Sequence, residues 1–334
     1  MNKIFHKLAF FTAIFALCVI ILGAYVRLSD AGLGCPDWPG CYGRILVPEA
    51  SHHVEQANES FPDRPVEAAK AWKEMIHRYF ASALGLLICA LAVIAWRHRH
   101  EERQPVVLPI LLVAIVIFQG LLGMWTVTLL LKPVIVMLHL MGGMTTVSLL
   151  LWVGLRQSNL FMSDVNPAPV QLRPWALLAL VIVVCQIALG GWTSANYAAL
   201  ACPDFPTCQT QWWPAMNFVE GFTFWRGLGI DYEGGVLEND ARVAVHMMHR
   251  IGALITFIYI LVLSLRTILN SVNNKALRNM GIFLLCVLLA QVSLGIANIV
   301  FTLPLSIAVI HNGTGALLLL SVVALNHLLY PVRK

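Results

Sequence analysis

Long apolar segments alternate with short polar segments along the whole chain. Eight of the apolar segments have roughly the 20 residues that a helix needs to cross the hydrocarbon core of a bilayer. Because lipid offers no hydrogen-bond partners, such a segment satisfies its backbone only as a helix. The pattern therefore predicts an all-α integral membrane protein with eight transmembrane helices. We place these helices at 8–26, 76–96, 106–128, 134–155, 174–193, 244–265, 279–300 and 306–329.

The composition supports a membrane protein and argues against nucleic-acid binding. Hydrophobic residues make up 59% of the 334 residues and charged residues 12%, whereas soluble domains have about 25% charged residues. The mean hydropathy is +0.76. The formal net charge of +5 is spread over short polar segments and forms no basic stripe of the kind that binds nucleic acid. We expect the chain to be surrounded by membrane lipid.

Basic residues concentrate on one side of the predicted spans, which sets the orientation because cytoplasmic loops carry an excess of lysine and arginine. The loops on the opposite side, 27–75 and 194–243, are long and acidic in balance. We therefore predict that both termini are cytoplasmic. The cations on the predicted inner side are Lys3, Lys7, Arg97, Arg99, Arg103, Arg156, Arg173, Arg266, Lys275, Arg278, Arg333 and Lys334.

The two halves of the chain repeat one pattern. The segment CVIILGAYVRLSDAGLGCPDWPGC (18–41) matches CQIALGGWTSANYAALACPDFPTC (185–208) at an offset of 167 residues. The segment EMIHR (74–78) matches HMMHR (246–250) at an offset of 172 residues. Apolar segments often look alike by chance, but a match that keeps histidines and cysteines in register indicates a tandem repeat.

The repeat defines the predicted architecture. Each half holds four of the eight spans, and an even number of spans makes the two halves parallel about an axis along the membrane normal. We predict two tandem, pseudo-symmetric four-helix bundles: an N-terminal bundle at 1–160 and a C-terminal bundle at 161–334. A cytoplasmic segment near 156–173 joins them.

Two histidines in each half fall in the outer part of a predicted span. His77 and His249 open the second span of their halves, and His139 and His311 lie about two turns into the fourth. An ionisable residue inside a span points to function, and two imidazoles that face each other across a four-helix bundle suit axial ligation of a haem iron. Hydrogen bonding between helices is the structural alternative. Zinc fits less well because it prefers four ligands.

Other polar and small residues accompany these histidines. Arg78 and Arg250 follow the first histidine of each half, and each side chain either extends to the membrane interface or pairs with a haem propionate. Glu74 precedes His77 by three residues, whereas His246 takes that place in the second half. Four glycines after the second histidine leave room for a flat macrocycle: Gly142, Gly143, Gly313 and Gly315.

The cysteines form two classes. The segments CPDWPGC (35–41) and CPDFPTC (202–208) lie on the predicted outer side, where paired thiols oxidise. We predict two local disulfides, Cys35–Cys41 and Cys202–Cys208, which either staple a loop over the haem or relay electrons to an outer thiol partner. The cysteines within spans should pack as small apolar residues; these are Cys18, Cys89, Cys185 and Cys286.

Taken together, these residues resemble the haem A synthase family of bacteria and mitochondria, whose members convert haem O to haem A. The resemblance covers nearly the whole chain and rests on Glu-x-x-His-Arg at 74–78, His139, His-Arg at 249–250, His311 and both cysteine pairs. It implies oxidation of the C8 methyl group of haem O to a formyl group, by successive hydroxylations and loss of water, for terminal oxidase assembly. It also implies a bacterial cytoplasmic (inner) membrane location and transfer of haem O from haem O synthase.

The resemblance implies a haem b site in the C-terminal half and a substrate-haem site in the N-terminal half. At the haem b site the implied iron ligands are His249 and His311, with Arg250 beside them. At the substrate-haem site they are His77 and His139, with Arg78 beside them.

The resemblance also implies that Glu74 is catalytic. One helical turn separates Glu74 from His77, so its carboxylate can reach the haem rim, where it would take up a proton or stabilise positive charge. The alternative for Glu74 is an interfacial carboxylate paired with Arg78 or Lys73.

Two functions remain open at the level of sequence. One is haem A synthase; the other is a non-enzymatic di-haem cytochrome b that carries electrons between quinol and an outer thiol partner. The acid present in only one half favours the enzyme, because a symmetric carrier has no reason to keep it there. The electron acceptor, the source of oxygen and a homo-oligomeric state stay undecided. The outer segments 44–73 and 213–243 have no predicted role, and the histidines and acids at 52–59 indicate a solvated loop rather than a metal site.

Overall fold

The computed structural model describes residues 3–101, 104–158, 169–271 and 273–330. Within these residues the regular secondary structure is helical, apart from two isolated bridges that close tight turns. Eight of the helices are long and apolar enough to cross a membrane, so the predicted all-α, eight-span fold is confirmed. In chain order the helices are α1 (Lys3–Leu28), α2 (Ser51–Ser60), α3 (Ala68–Arg97), α4 (Val107–Thr128), α5 (Pro133–Gln157), α6 (Arg173–Ala195), α7 (Phe218–Gly221), α8 (Asn239–Leu269), α9 (Lys275–Val300) and α10 (Leu305–Leu329).

The short helices α2 and α7 lie in the two long loops, and α2 occupies the segment that the sequence indicated to be a solvated loop. The predicted inner cations Arg103, Arg333 and Lys334 lie outside the described residues, as do positions 159–168 of the predicted linker.

Several membrane helices begin earlier than the hydrophobic pattern predicted, and two of them carry histidines of the predicted sites. Helix α3 starts at Ala68 instead of 76, and α8 starts at Asn239 instead of 244. Consequently His77 and His249 lie about three turns into their helices and do not open them. A hydropathy pattern stops where polar residues begin, whereas the helix continues because its polar turns pack against the loops. The burial of Ala71 and Ala241, both 0% exposed, shows this packing.

The long helices pack as two rings of four. In the first ring α1 contacts α3 and α5, and α4 contacts the same two helices. In the second ring α6 contacts α8 and α10, and α9 closes the ring against α8 and α10. The rings meet where α10 packs on α1 and α5, and where α5 packs on α6. Each ring has a buried apolar cluster, and Met144 of α5 belongs to the cluster of the second ring, so the two clusters share residues where the rings meet.

The end of the bundle that carries both cysteine pairs, here called the cysteine face, also links the two halves. Arg64 in the first loop makes ion pairs with Asp231, at 2.6 Å, and Glu233 in the second loop. The backbone N–H of Tyr232 donates to the carbonyl of Leu130, which precedes α5, at 3.1 Å. The outer segments 44–73 and 213–243, which had no predicted role, therefore bridge the two rings.

Lys132 anchors the same bridge from inside. Its side chain is only 2% exposed, and its Nζ donates to the carbonyl of Gly227 at 2.6 Å. The ammonium group lies 3.4 Å from the ring centroid of Trp225, a cation–π geometry that gains strength when desolvated. A buried amine with a hydrogen bond and an aromatic face is a stronger tie than an exposed ion pair.

This difference can be measured with a matched pair of substitutions. Lys132→Met keeps the chain length but leaves the Gly227 carbonyl without its donor, which should cost about 1–3 kcal/mol. Arg64→Met removes two partly exposed ion pairs, each of which contributes about 0–1 kcal/mol. Thermal unfolding of the detergent-solubilised protein should show the larger loss in melting temperature for Lys132→Met. An equal or smaller loss would contradict the anchoring role of Lys132.

Candidate functional site

The first histidine of each half lies against a glycine of a neighbouring helix. A Cβ atom built on Gly23 in α1 would stand 2.9 Å from Cε1 of His77 in α3. The same atom built on Gly190 in α6 would stand 3.1 Å from Cε1 of His249 in α8. Any larger residue at these glycines would push the imidazole or the helix aside, so glycine sets how closely the two helices approach.

The second histidine of each half repeats this arrangement. His139 in α5 faces Gly123 in α4, with 3.5 Å between its Cε1 and a Cβ built on the glycine. His311 in α10 faces Gly295 in α9 at 3.2 Å. Every member of the histidine set therefore has a glycine beneath it, and these contacts follow the sequence repeat.

The histidines come together in two pairs, one in each ring. His77 lies near enough to His139 for the two rings to repel each other if both were protonated, and His249 stands in the same relation to His311. Nδ1 atoms of His77, His139 and His311 are buried and have no hydrogen-bond partner among the described residues. These three nitrogens therefore do not make the hydrogen bonds between helices that were the structural alternative for the histidines.

The donor sets fit haem better than zinc. Among the described residues, no group of three His, Cys, Asp or Glu side chains is placed to hold a metal ion. Each ring thus offers two imidazoles, the number that axial ligation of haem iron uses, whereas a protein zinc site takes three or four ligands.

The glycines that follow the second histidines lie against side chains of neighbouring helices. A Cβ atom on Gly142 would overlap the side-chain amide of Gln119, and one on Gly315 would lie 3.3 Å from that of Gln291. A Cβ atom on Gly313 would lie 3.3 Å from Ile21. These glycines make room for side chains of neighbouring helices. A different set of glycines faces the histidines: Gly23, Gly123, Gly190 and Gly295. The sequence signal for this second set was its recurrence in the aligned halves.

Glu74 is buried beneath the first cysteine loop, with 5% of its surface exposed. Its Oε2 accepts the backbone N–H of Cys35 at 2.9 Å, and its Oε1 accepts from Nη2 of Arg78. The pairing with Arg78 that the sequence left as an alternative therefore exists, whereas Lys73 lies over the ring of Tyr25 at 5.3 Å. The carboxylate is fixed by both of its oxygens, one turn from His77.

His246 occupies the equivalent position beneath the second cysteine loop. It is 4% exposed, and its Nδ1 donates to the carbonyl of Ala198 at 2.9 Å. The contact between helix and loop is thus kept, but its polarity is reversed: a carboxylate accepts from the loop in one half, and an imidazole donates to it in the other. The second site has no acid at this point.

Arg78 and Arg250 clamp the cysteine loops through backbone carbonyls. Arg78 donates to Asp37 at 3.0 Å, Pro39 at 3.2 Å and Gly40. The corresponding contacts of Arg250 go to Cys202 at 3.1 Å, Asp204 at 2.7 Å and Thr207 at 2.7 Å. Neither side chain extends freely to the interface. The Nε of Arg250 is buried and has no partner among the described residues.

Each cysteine pair closes a short, ordered turn. Cys35 and Cys41 are joined with Cα atoms 4.8 Å apart, and Cys202 and Cys208 with Cα atoms 4.5 Å apart. All of these residues are 0% exposed. In the second loop the Thr207 hydroxyl and the backbone N–H groups of residues 209 and 210 lower the pKa of the Asp204 carboxyl.

The remaining cysteines differ from expectation. Cys18, Cys89, Cys185 and Cys286 are exposed on their helices and do not pack in the core. An apolar residue on the outside of a membrane bundle is solvated by lipid, so hydrophobicity alone did not decide between core and lipid.

The fold and the site together define a polytopic membrane protein with two matched histidine pairs suited to haem. The sequence profile of the COX15-CtaA family, described as cytochrome oxidase assembly protein, matches residues 6–323. The Heme A synthase of Shewanella oneidensis is 46% identical over 319 residues, which cover 96% of this chain and 94% of that protein. The chain therefore belongs to the haem A synthase family of cytochrome oxidase assembly proteins.

More distant relatives carry the same name. The Heme A synthase of Halalkalibacterium halodurans is 27% identical over 316 residues, covering 92% of this chain and 90% of that protein. The Heme A synthase of Shouchella clausii is 26% identical over 326 residues, covering 93% and 92%. The similarity thus extends through both halves of the chain.

The cysteine loops give a test in the native membrane. We expect Cys35, Cys41, Cys202 and Cys208 to resist alkylation until a reductant is added, because each pair is bonded and buried. The labelling should use a background in which the exposed cysteines of the helices are replaced by serine, so that every label reports a loop. Rapid alkylation without reductant would contradict the pairing.

Proposed function

We propose that this protein is a membrane oxidoreductase that synthesises haem A from haem O, for the assembly of terminal oxidases. The proposal rests above all on the acid that distinguishes two otherwise matched sites, Glu74 beside His77 against His246 beside His249. The family membership supports it, since the relatives are named Heme A synthase. A carrier of electrons would need no acid in one half, so the electron-carrier alternative is not favoured.

In this proposal the two rings have different tasks. The C-terminal bundle, 161–334, holds haem b between His249 and His311, and the N-terminal bundle, 1–160, binds the substrate haem between His77 and His139. The mutual interaction within each pair and the glycine beneath each ring support the two assignments. When bound, haem b supplies one-electron transfer. The chain holds the imidazoles at a fixed depth in the bundle.

Glu74 acts on the substrate side of this division. The reaction oxidises a methyl group on the porphyrin edge to a formyl group, so positive charge develops there as electrons leave. A carboxylate stabilises such charge best when it is held in place before the reaction. The contacts of both oxygens, to Arg78 and to the backbone of Cys35, fix Glu74 in this way. Glu74 would also be the nearest acid to take up a proton.

The arginines serve both the loops and the haem in this proposal. Their contacts to backbone carbonyls hold the cysteine loops over the histidine pairs. The buried Nε of Arg250 is a donor left over for an acidic substituent of haem b. Arg78 would serve the substrate haem from the corresponding position of the first half.

The membrane placement follows from the same assignments. The chain lies in the bacterial cytoplasmic membrane, with both termini in the cytoplasm and the cysteine face outside. The distribution of cations supports this orientation, because Arg97, Arg156, Arg173 and Arg266 all lie at the helix ends opposite the cysteine face.

The catalytic role of Glu74 can be tested by a substitution that keeps its shape. Glu74→Gln should lower conversion of haem O about 10²–10⁴-fold, the usual contribution of a positioned acid or base, and should leave haem b bound. Glu74→Asp should recover little, because the shorter side chain withdraws from the haem rim. His246→Ala is the matched control and should keep conversion. Pigments extracted from each variant are separated by chromatography and scored for haem O, hydroxylated haem and haem A. Normal haem A from Glu74→Gln would remove the catalytic role.

The haem b ligands give a separate test. His249→Ala and His311→Ala should each abolish the low-spin haem b spectrum of the purified protein, because a bis-imidazole site loses one of its two ligands. His77→Ala is the control in the other ring and should retain that spectrum. A full haem b spectrum in both C-terminal variants would refute the assignment.

A further inference from the structure

The side-chain amide of Gln186 contacts both the ring and the backbone of His249, which lies on a different helix. Nε2 of Gln186 in α6 lies 3.0 Å from Nδ1 of His249 and donates to the backbone carbonyl of His249 at 3.1 Å. Gln186 stands one helical turn before Gly190, the glycine that lies against the same ring. Helix α6 thus gives His249 both a glycine surface and a polar tether.

The space for this tether depends on a glycine in the opposite helix. A Cβ atom on Gly252 in α8 would overlap Oε1 of Gln186 and would lie 2.8 Å from Leu189. Gly252 follows His249 by three residues, so it lies on the same face of α8. Gln186 and Gly252 therefore form a matched pair, in which the missing side chain of one makes room for the amide of the other.

The N-terminal ring has no counterpart of this pair. At the corresponding repeat positions it carries Val19 in place of Gln186 and Phe80 in place of Gly252. The Phe80 ring stacks on Phe15, with centroids 5.7 Å apart. The N-terminal ring therefore carries apolar residues at the repeat positions where the C-terminal ring has the amide and its glycine.

The other glutamines do not make this distinction. Gln291 lies 3.3 Å from Nε2 of His311, and Gln119 occupies the same repeat position in the N-terminal ring. A glutamine shared by both rings cannot separate their properties, whereas Gln186 occurs in one ring only.

We propose that Gln186 is a positioning residue for His249, and that it sets the orientation and electron donation of this imidazole toward the iron of the C-terminal site. The inference rests on the proposed assignment of His249 and His311 to haem b. An imidazole that binds iron through Nε2 carries its proton on Nδ1 and donates it to an acceptor, which fixes the ring and raises its basicity. Gln186 would supply that acceptor with Oε1, which is buried in the same amide group and has no partner among the described residues. Hydrogen bonding around a haem ligand is one of the means by which proteins set reduction potential. The amide thereby makes the C-terminal site electronically different from the N-terminal one.

The test replaces Gln186 with the residue of the other ring. Gln186→Val removes the amide, and Gln186→Met removes it while keeping the length of the side chain beside Gly252. Thr193→Val is the control: it removes a buried hydroxyl from the same helix, whose bond goes to the carbonyl of Leu189 and not to a histidine. Redox titration of the purified protein gives the midpoint potential of the low-spin haem, and electron paramagnetic resonance of its oxidised form gives g values that depend on ring orientation.

We expect both Gln186 variants to shift the midpoint potential and the g values, and Thr193→Val to leave them as in the wild type. Loss of haem from both Gln186 variants, with an unchanged helical circular dichroism spectrum and haem retained in Thr193→Val, would equally support a role at the ligand. A wild-type potential and wild-type g values in either haem-containing Gln186 variant would overturn the proposal. Wild-type protein that holds no low-spin haem, or that keeps it after His249→Ala, would instead refute the assignment of the site.

Discussion

The contact between an imidazole and a glycine of the next helix is the constraint on which this structure depends. Two membrane helices can approach closely only where small residues allow it. At each of these glycines, the group that limits the approach is the imidazole ring of the neighbouring helix. The contact of His77 with Gly23 leaves no room for a methyl group, and at Gly190 a methyl group would require a small shift of His249. The depth of each histidine in the bundle, and hence the level at which a haem would bind, follows from these contacts.

The cysteine loops are held in place by arginines on the helices that carry the first histidines, α3 and α8. An arginine in a largely apolar bundle needs acceptors, because an unpaired buried charge is costly. Arg78 and Arg250 find them in the carbonyls of the loops, so the charge that must be satisfied also holds the loop in place. The same arrangement positions Glu74, because its hydrogen bonds to Arg78 and to the backbone of Cys35 in the loop keep it beside His77.

The differences between the halves concentrate around the first histidine of each half. Glu74 against His246 changes the group between helix and loop, and Val19 against Gln186 changes the neighbour of the ring. The change from Phe80 to Gly252 accompanies the second difference and makes room for the amide of Gln186. A duplicated bundle can therefore keep its helix positions while the chemistry of each site diverges, because a few side chains at the ring decide that chemistry.

The sequence by itself determined the eight spans, the repeat and the histidines, because apolar length and register are local properties of the chain. The earlier starts of α3 and α8 could not be predicted from it, since polar turns continue a helix only when they pack against loops that lie elsewhere in the chain. The same holds for the partners of Arg78 and for the space at Gly142, which Gln119 fills. Only the tertiary structure decided these contacts, because each depends on which helices become neighbours in the folded bundle.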